Sequence, residues 1–217
     1  MLMSDDKRLL NRLGRDGGWT RLWGRASCAP VVYRRNCRLP TGRRFPTCHT
    51  KYTVIMAAGK HRKLLDPGAR APDFRLPRLD GGTVALQEIL ANGPALIVFF
   101  KTTCPVCQLT LPFLARIHKP GTLPVYAVSQ DGAEDTREFN REFGVAFPTL
   151  LDTERSGYAV SNAFGISTVP TTFLIERDGA ISRVIEGWSK REIESLGGLA
   201  GAQVFRQGDN VPEWKAG

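Results

Sequence analysis

The arrangement of apolar and polar positions between residues 69 and 196 predicts strands that alternate with helices. Ala95–Phe100 is continuously apolar, which is typical of a central strand covered on both faces. From Cys107 onward, apolar residues recur three and four positions apart as far as Ile117, and this spacing predicts an amphipathic helix. Pro112 falls inside that pattern and predicts a kink.

The remaining elements follow from the same patterns. Predicted strands cover 74–76, 83–86, 125–129, 147–151, 171–176 and 180–186, and predicted helices cover 87–91, 133–143, 156–164 and a last helix that begins at Ser189. Ser189 and Glu192 have the spacing of a capping box. Strands alternating with helices, followed by a hairpin and a closing helix, predict an α/β sandwich around a mixed sheet.

The charge distribution separates this region from the start of the chain. The protein has a net charge of +9; residues 1–55 hold 12 Lys and Arg against 3 Asp and Glu, whereas residues 56–217 hold 18 of each. A basic, Gly-rich segment without a sustained apolar pattern does not bury a core, so residues 1–60 are predicted to be a disordered extension. The folded domain is predicted at 61–197, with a loosely packed, Gly-rich tail at 198–217.

The basic segment has four candidate roles: a secretory signal, a transit peptide, a zinc site and a charged arm. It has no run of about 7–15 apolar residues, so it does not match a secretory signal, and it lacks the serine enrichment of a transit peptide. Its three cysteines lack the close pair spacing of a zinc site. An arm that binds nucleic acid or acidic lipid by charge is an alternative. We expect instead that translation begins at Met56, which would give a cytoplasmic protein without an export signal.

Two cysteines stand where the central strand gives way to the helix, in the sequence Cys104-Pro105-Val106-Cys107. Unpaired backbone N–H groups and the helix dipole favour a thiolate at a helix N-terminus, so Cys104 is predicted to be the nucleophile. Cys107 lies one helical turn further on, where it can close a disulfide and act as the resolving thiol. A small secreted protein held together by disulfides would carry more cysteines. Residues 56–217 are therefore predicted to use their two cysteines for redox chemistry.

Several further motifs match one family together. They are Ala71-Pro72-Asp73-Phe74, Leu79-Asp80-Gly81, Phe147-Pro148-Thr149-Leu150-Leu151-Asp152 and Thr168-Val169-Pro170-Thr171-Thr172-Phe173, with Pro112 eight residues after Cys104. With the cysteine motif, they make residues 68–196 resemble the TlpA/ResA-type thiol-disulfide oxidoreductases, in the redoxin branch of the thioredoxin superfamily that includes AhpC/TSA proteins. The resemblance implies a thioredoxin-like three-layer sandwich with a central mixed β-sheet.

The resemblance also implies a substrate-binding loop. Pro170 is expected to be cis and to face the cysteines, because a cis proline usually serves a tight functional turn. In the family, this leaves the backbone of the preceding residue, here Val169, free to pair with an extended substrate. Pro105 and Val106 are expected to contact the substrate and to tune the redox potential.

One acidic residue is a further candidate. The buried carboxylate that thioredoxins carry six residues before the first cysteine is replaced here by Val98. TlpA/ResA proteins place an acid after the next strand, and Asp131 matches that position. Asp131 is either the proton acceptor for Cys107, which must ionise before it can resolve a mixed disulfide, or a helix-cap or loop residue.

The leading hypothesis is a dithiol-disulfide oxidoreductase. Its expected partners are a protein or small-molecule disulfide and an upstream dithiol reductant. No cofactor, metal ion, nucleic acid or membrane is expected to take part, and the protein is expected to be a monomer. The expected compartment is the cytoplasm, and the resemblance implies the periplasm as the alternative.

Three other functions are alternatives to this hypothesis. A peroxiredoxin-like peroxidase would carry a proline seven residues and a Thr or Ser three residues before its reactive cysteine; Ile97 and Lys101 stand there relative to Cys104. A metal-delivery protein could use the two thiolates for Cu(I) or Zn(II), but no nearby His or Met completes a ligand set. A pure interaction module is no better supported, since the cysteine pair is intact.

Overall fold

A computed structural model describes residues 63–217 and two short strands earlier in the chain. The chain divides into two units, Met1–Met56 and Ala57–Gly217. In the first unit, Trp19–Thr20 (β1) pairs antiparallel with Tyr33–Arg34 (β2). The rest of the basic segment lies outside the described residues, so its predicted disorder and the predicted start of translation stay predictions.

The second unit contains nine strands and five α-helices in its described part. The strands are Arg75–Pro77 (β3), Thr83–Ala85 (β4), Ala95–Phe100 (β5), Val125–Ser129 (β6), Thr149–Leu151 (β7), Thr171–Ile175 (β8), Ile181–Glu186 (β9), Trp188–Ser189 (β10) and Trp214–Lys215 (β11). The helices are Leu86–Leu90 (α1), Pro105–Ile117 (α2), Ala133–Glu142 (α3), Ala159–Phe164 (α4) and Lys190–Ala200 (α5), with a 3-10 turn at Glu154–Ser156.

A five-stranded mixed sheet in the order β7-β6-β5-β8-β9 forms the middle layer. Strands β5, β6 and β7 are parallel, and β8 and β9 join them antiparallel. The central strand β5 is completely buried along its whole length, as its uninterrupted apolar sequence predicts. This is the predicted three-layer α/β sandwich with a mixed sheet.

Residues of β5 alternate between two hydrophobic clusters, one on each face of the sheet. Leu96, Val98 and Phe100 pack with the apolar residues of α2, α3 and α5. Ala95, Ile97 and Phe99 pack on the other face with residues of α1 and α4. The period of two along a strand sends successive side chains to opposite faces, so one short strand ties both layers of helices together.

One predicted helix is shorter than expected. The pattern predicted a helix over 156–164, but α4 begins only at Ala159, after a separate 3-10 turn. Gly157 and Tyr158 break the run because both adopt left-handed backbone angles, with φ of 64° and 52°. The buried Asp152 carboxylate explains the break: it accepts hydrogen bonds from the Ser156 hydroxyl at 3.0 Å and the Ser161 N–H at 2.6 Å.

The segment 198–217, predicted to be a loosely packed tail, is held to the domain at several points. Residues 198–200 belong to α5, and Val204 beyond it is buried against the core. The Trp188 indole N–H donates to the Pro212 carbonyl at 2.6 Å, and β11 then pairs antiparallel with β10. Glycine content suggested a loose segment, but these contacts come from residues scattered along it without a periodic pattern.

In residues 63–217, no helix combines the length and the hydrophobicity that a bilayer crossing requires.

Candidate active site

Cys104 lies at the carboxyl end of the central strand, at the N-cap of α2. Pro105 follows at the first helical position, where its missing N–H costs nothing, so the chain turns directly into the helix. The Cys104 sulfur accepts a hydrogen bond from the Cys107 backbone N–H at 3.3 Å. This is the predicted placement: the reactive sulfur lies at the N-terminus of α2 and meets a backbone N–H group of its first turn.

Cys107 is completely buried, whereas Cys104 is partly exposed, and both thiols are free. Burial raises the pKa of the Cys107 thiol, and the neighbouring Cys104 and the charge of Asp131 raise it further, while the backbone of Lys101 opposes them. Cys107 therefore holds its proton at neutral pH. Of these two thiols, only Cys104 is placed to meet a disulfide from solution.

The loop before β8 brings a backbone carbonyl to the reactive sulfur. The predicted cis bond between Val169 and Pro170 is confirmed. The Cys104 thiol donates to the Val169 carbonyl at 3.3 Å, although 65 residues separate them. The Gly187 N–H donates to the Pro170 carbonyl at 2.7 Å, so the strand pair β8–β9 supports the loop from behind. The predicted proximity of this loop to the cysteines is also confirmed.

Asp131 follows β6 and lies beside the cysteine loop. Its Oδ2 accepts hydrogen bonds from the Thr102 backbone N–H at 2.6 Å and from the Thr102 hydroxyl at 3.0 Å. The Gln108 side-chain amide donates to the Thr102 carbonyl at 3.2 Å. Asp131 therefore holds the loop that leads to Cys104, and its role as proton acceptor for Cys107 stays a prediction.

Thr102 is a site residue that sequence reasoning missed. Its position between the end of β5 and the first cysteine was the available signal, because that short connection must be fixed for Cys104 to cap α2. The other predicted contacts have simpler surroundings. Pro105 is exposed beside Cys104, and Val106 is half-buried against the core.

A groove of about 900 Å³ extends away from Asp131 along the ends of β6 and β7. Tyr158 lines it, and the Lys101 ammonium lies 5.9 Å from the centre of the Tyr158 ring. Among residues 63–217, no group of three or more His, Cys, Asp and Glu is placed to hold a metal ion.

Comparisons with known proteins show the family to which the chain belongs. Residues 67–184 match the sequence model of the AhpC/TSA family. The thiol-disulfide oxidoreductase ResA of Bacillus subtilis is 29% identical over 144 residues, covering 64% of this chain and 78% of that protein. ResA of Halalkalibacterium halodurans is 32% identical over 140 residues, covering 63% of this chain and 77% of that protein.

Solved structures agree with the fold. The crystal structure of a protein assigned as the thiol:disulfide interchange protein DsbE of Chlorobium tepidum has a TM-score of 0.54 and 27% identity, and covers 62% of this chain and 95% of that one. The peroxidoxin BcpB of Mycobacterium tuberculosis, at 21% identity and a TM-score of 0.53, shares the fold, with 64% and 99% covered. The chain belongs to the AhpC/TSA family and is a TlpA/ResA-like oxidoreductase of the thioredoxin superfamily.

Proposed function

We propose that the protein exchanges disulfides with protein substrates through Cys104 and Cys107. The Cys104 thiolate attacks a substrate disulfide, a bond forms between Cys104 and one substrate sulfur, and the other substrate sulfur leaves and takes up a proton. Cys107 then loses its proton and attacks the Cys104 sulfur. The Cys104–Cys107 disulfide forms, the second substrate thiol is released, and two electrons have passed to the substrate.

The observation that carries this proposal is the unequal setting of the two sulfurs. Cys104 is partly exposed, caps a helix and touches the cis-proline loop, whereas Cys107 is buried one turn below it. Attack from solution is therefore directed to one sulfur, and the second can act only after a mixed disulfide has formed. The resemblance assigns the Val169 backbone to the substrate, and its closeness to Cys104 supports that assignment.

The partners follow from the electron balance. A dithiol donor must reduce the Cys104–Cys107 disulfide before another turnover, and a protein in a reducing cytoplasm would rest as the dithiol and act as a reductase. Peroxidase chemistry is not favoured. Ile97 is buried in the core and Lys101 points to Tyr158, so neither supplies the hydroxyl or the proline that such a site uses.

Reduction of insulin by the full-length protein, with dithiothreitol as electron donor, tests the proposal beside an assay of hydrogen peroxide consumption. Wild type should reduce insulin and leave peroxide consumption at background. Cys104→Ser should abolish turnover, and Cys107→Ser should accumulate a mixed disulfide on Cys104 that mass spectrometry detects. Rapid peroxide consumption without insulin reduction would contradict the proposal.

A further inference from the structure

The last residues of the chain return to the active-site end of the domain. Asp209 is anchored by an ion pair with Arg116 of α2, and the Pro212 carbonyl accepts from the buried Trp188 indole. Beyond this root, β11 pairs with β10 and leads residues 215–217 alongside the cis-proline loop. We call residues 214–217 the strap.

The strap meets the same carbonyl group as the reactive sulfur. A Cβ atom added to Gly217 would lie 2.8 Å from the Val169 carbonyl oxygen, the atom to which the Cys104 thiol donates at 3.3 Å. A Cβ added to Gly187 would collide with the Lys215 carbonyl. Gly187 is accordingly buried although it lies at the end of β9. The strap therefore fills the space above Gly187 and beside Val169.

We propose that the strap occupies the edge where an extended polypeptide would pair with the Val169 backbone. It acts as an internal competitor of protein substrates at this edge, and it leaves the Cys104 sulfur partly exposed to small disulfides. This proposal rests on the proposed function, since it concerns access to the same site. The competition is steric: residues 215–217 lie where a substrate strand that added to this backbone edge would have to lie.

The anchoring of the segment fits a strap that can leave. Its root is held by contacts to buried or half-buried groups, at Trp188 and Arg116. The strap contains the two-residue strand β11, has exposed side chains, and is preceded by an exposed ion pair between Lys190 and Glu213. Exposed pairs of this kind contribute little, so the strap can release while its root stays in place.

Two variants remove the strap from Val169 in different ways. A chain ending at Glu213 lacks it, and Gly217→Val places a side chain against the Val169 carbonyl without shortening the chain. Gly198→Ala is the matched control, because Gly198 lies in α5 and a Cβ there meets nothing within 4 Å. If the strap is docked in about nine molecules in ten, its loss lowers the KM for insulin about tenfold.

The same variants should change the KM for oxidised glutathione less than about twofold, since a small disulfide does not need the Val169 edge. An unchanged KM for insulin, or a higher one, would overturn the proposal; a higher one would mean that the strap builds the substrate site. The melting temperature of each variant checks that it is folded. If the shortened chain is unfolded, the KM of Gly217→Val for insulin tests the proposal.

A second measurement separates this proposal from the proposed function. Cys104 in the reduced protein is labelled with iodoacetamide and with a maleimide carrying a polyethylene glycol chain, and labelled peptides are quantified. Removing the strap should increase the rate at which the bulky reagent labels Cys104 more than the rate at which the small reagent does. If wild type does not reduce insulin, the proposed function fails, and this ratio alone decides the strap; an unchanged ratio refutes it.

Discussion

At the scale of single residues, the two cysteines differ because one caps the helix and the other lies inside it. The Cys104 sulfur accepts from the Cys107 N–H in the first turn of α2, and the Cys107 side chain is buried in the cluster between the sheet and α2. The same three-residue spacing thus supplies an accessible sulfur and a protected one. Three predictions follow from this difference.

Iodoacetamide should label Cys104 much faster than Cys107 in the reduced protein. The reason is that Cys107 has no exposed surface and burial raises its pKa, so it offers neither access nor thiolate. Peptide mapping by mass spectrometry measures the two sites separately from Cys28, Cys37 and Cys48. Cys107→Ser should leave the rate at Cys104 nearly unchanged, and faster labelling of Cys107 would reverse the assignment of nucleophile.

Cys107 should also make the reduced protein less stable at alkaline pH. Because its pKa is raised in the folded state, its contribution is complete below the unfolded thiol pKa, near 8.5, and is lost as pH rises beyond it. The free energy of unfolding should fall by about 1.4 kcal/mol per pH unit in that range. Urea denaturation between pH 8 and 10.5 measures how the free energy of unfolding changes with pH. This slope should be shallower for Cys107→Ala than for the wild type. Parallel slopes would contradict the pKa assignment.

Asp131→Asn tests whether the carboxylate accepts the Cys107 proton. Loss of a proton acceptor should slow release of the mixed disulfide by about 100-fold, with labelling of Cys104 unaffected. Asp131 also raises the pKa of Cys107 by its charge, so a purely electrostatic role predicts faster release in the variant. Stopped-flow measurement of product release separates the two. Thr102→Val, which removes only the hydroxyl bond to Asp131, controls for loss of loop anchoring.

At the scale of elements, the ends of strands and helices are set by a few buried polar groups. Asp152, at the end of β7, is completely buried and bonds to groups on both sides of the break before α4. Its carboxylate makes the break specific, because a continuous helix would move the Ser161 N–H away from it. Tyr158 accepts an unusual backbone angle as a consequence.

Asp152→Ala should destabilise the protein by about 2–3 kcal/mol, since it leaves the buried Ser161 N–H without its acceptor, while the Ser156 hydroxyl keeps the Thr153 carbonyl at 2.7 Å. Asp178→Ala is the matched control. Asp178 accepts from the Ala180 N–H at 3.0 Å in an exposed turn, so its loss should cost less than about 1 kcal/mol. Chemical denaturation of the two variants gives the comparison. Equal losses would mean that Asp152 does not hold the break.

At the scale of the whole molecule, the domain is closed by two clusters on opposite faces of one sheet. Leu64 and Leu65, which precede β3, pack against the cluster on the face covered by α1 and α4. The boundary between the two units falls earlier, after Met56. The charge surplus lies before that boundary, and the domain after it is neutral.

A chain that starts at Met56 should therefore keep the fold and the chemistry. We expect its melting temperature to lie within about 2 °C of the full chain, a shift that corresponds to at most about 1 kcal/mol, and its insulin reduction rate to be equal. Calorimetry and the insulin assay measure both. A loss of several degrees would show that the basic segment contributes to the fold, and salt-dependent binding of nucleic acid by the full chain alone would give that segment a function.

The sequence by itself determined the central strand, the helix after it and the two cysteines at their junction. These features depend on periodicity and capping, which are properties of neighbouring residues, and so they can be predicted from local patterns. The motif around Pro170 was predicted through a family resemblance. Its position was a matter of tertiary structure, because only the pairing of β5 with β8 brings Val169 to Cys104.

Three other features were decided by tertiary structure alone. They are the anchoring of Thr102 by Asp131, the break of a helix at Tyr158 and the docking of residues 214–217 beside Val169. Each depends on a contact between residues far apart in sequence, or on one buried acceptor, and neither leaves a periodic pattern. The tail was predicted to be loose because glycine increases the conformational freedom of the unfolded chain. Its attachment to the domain comes instead from a few side chains that contact their partners only in the folded protein.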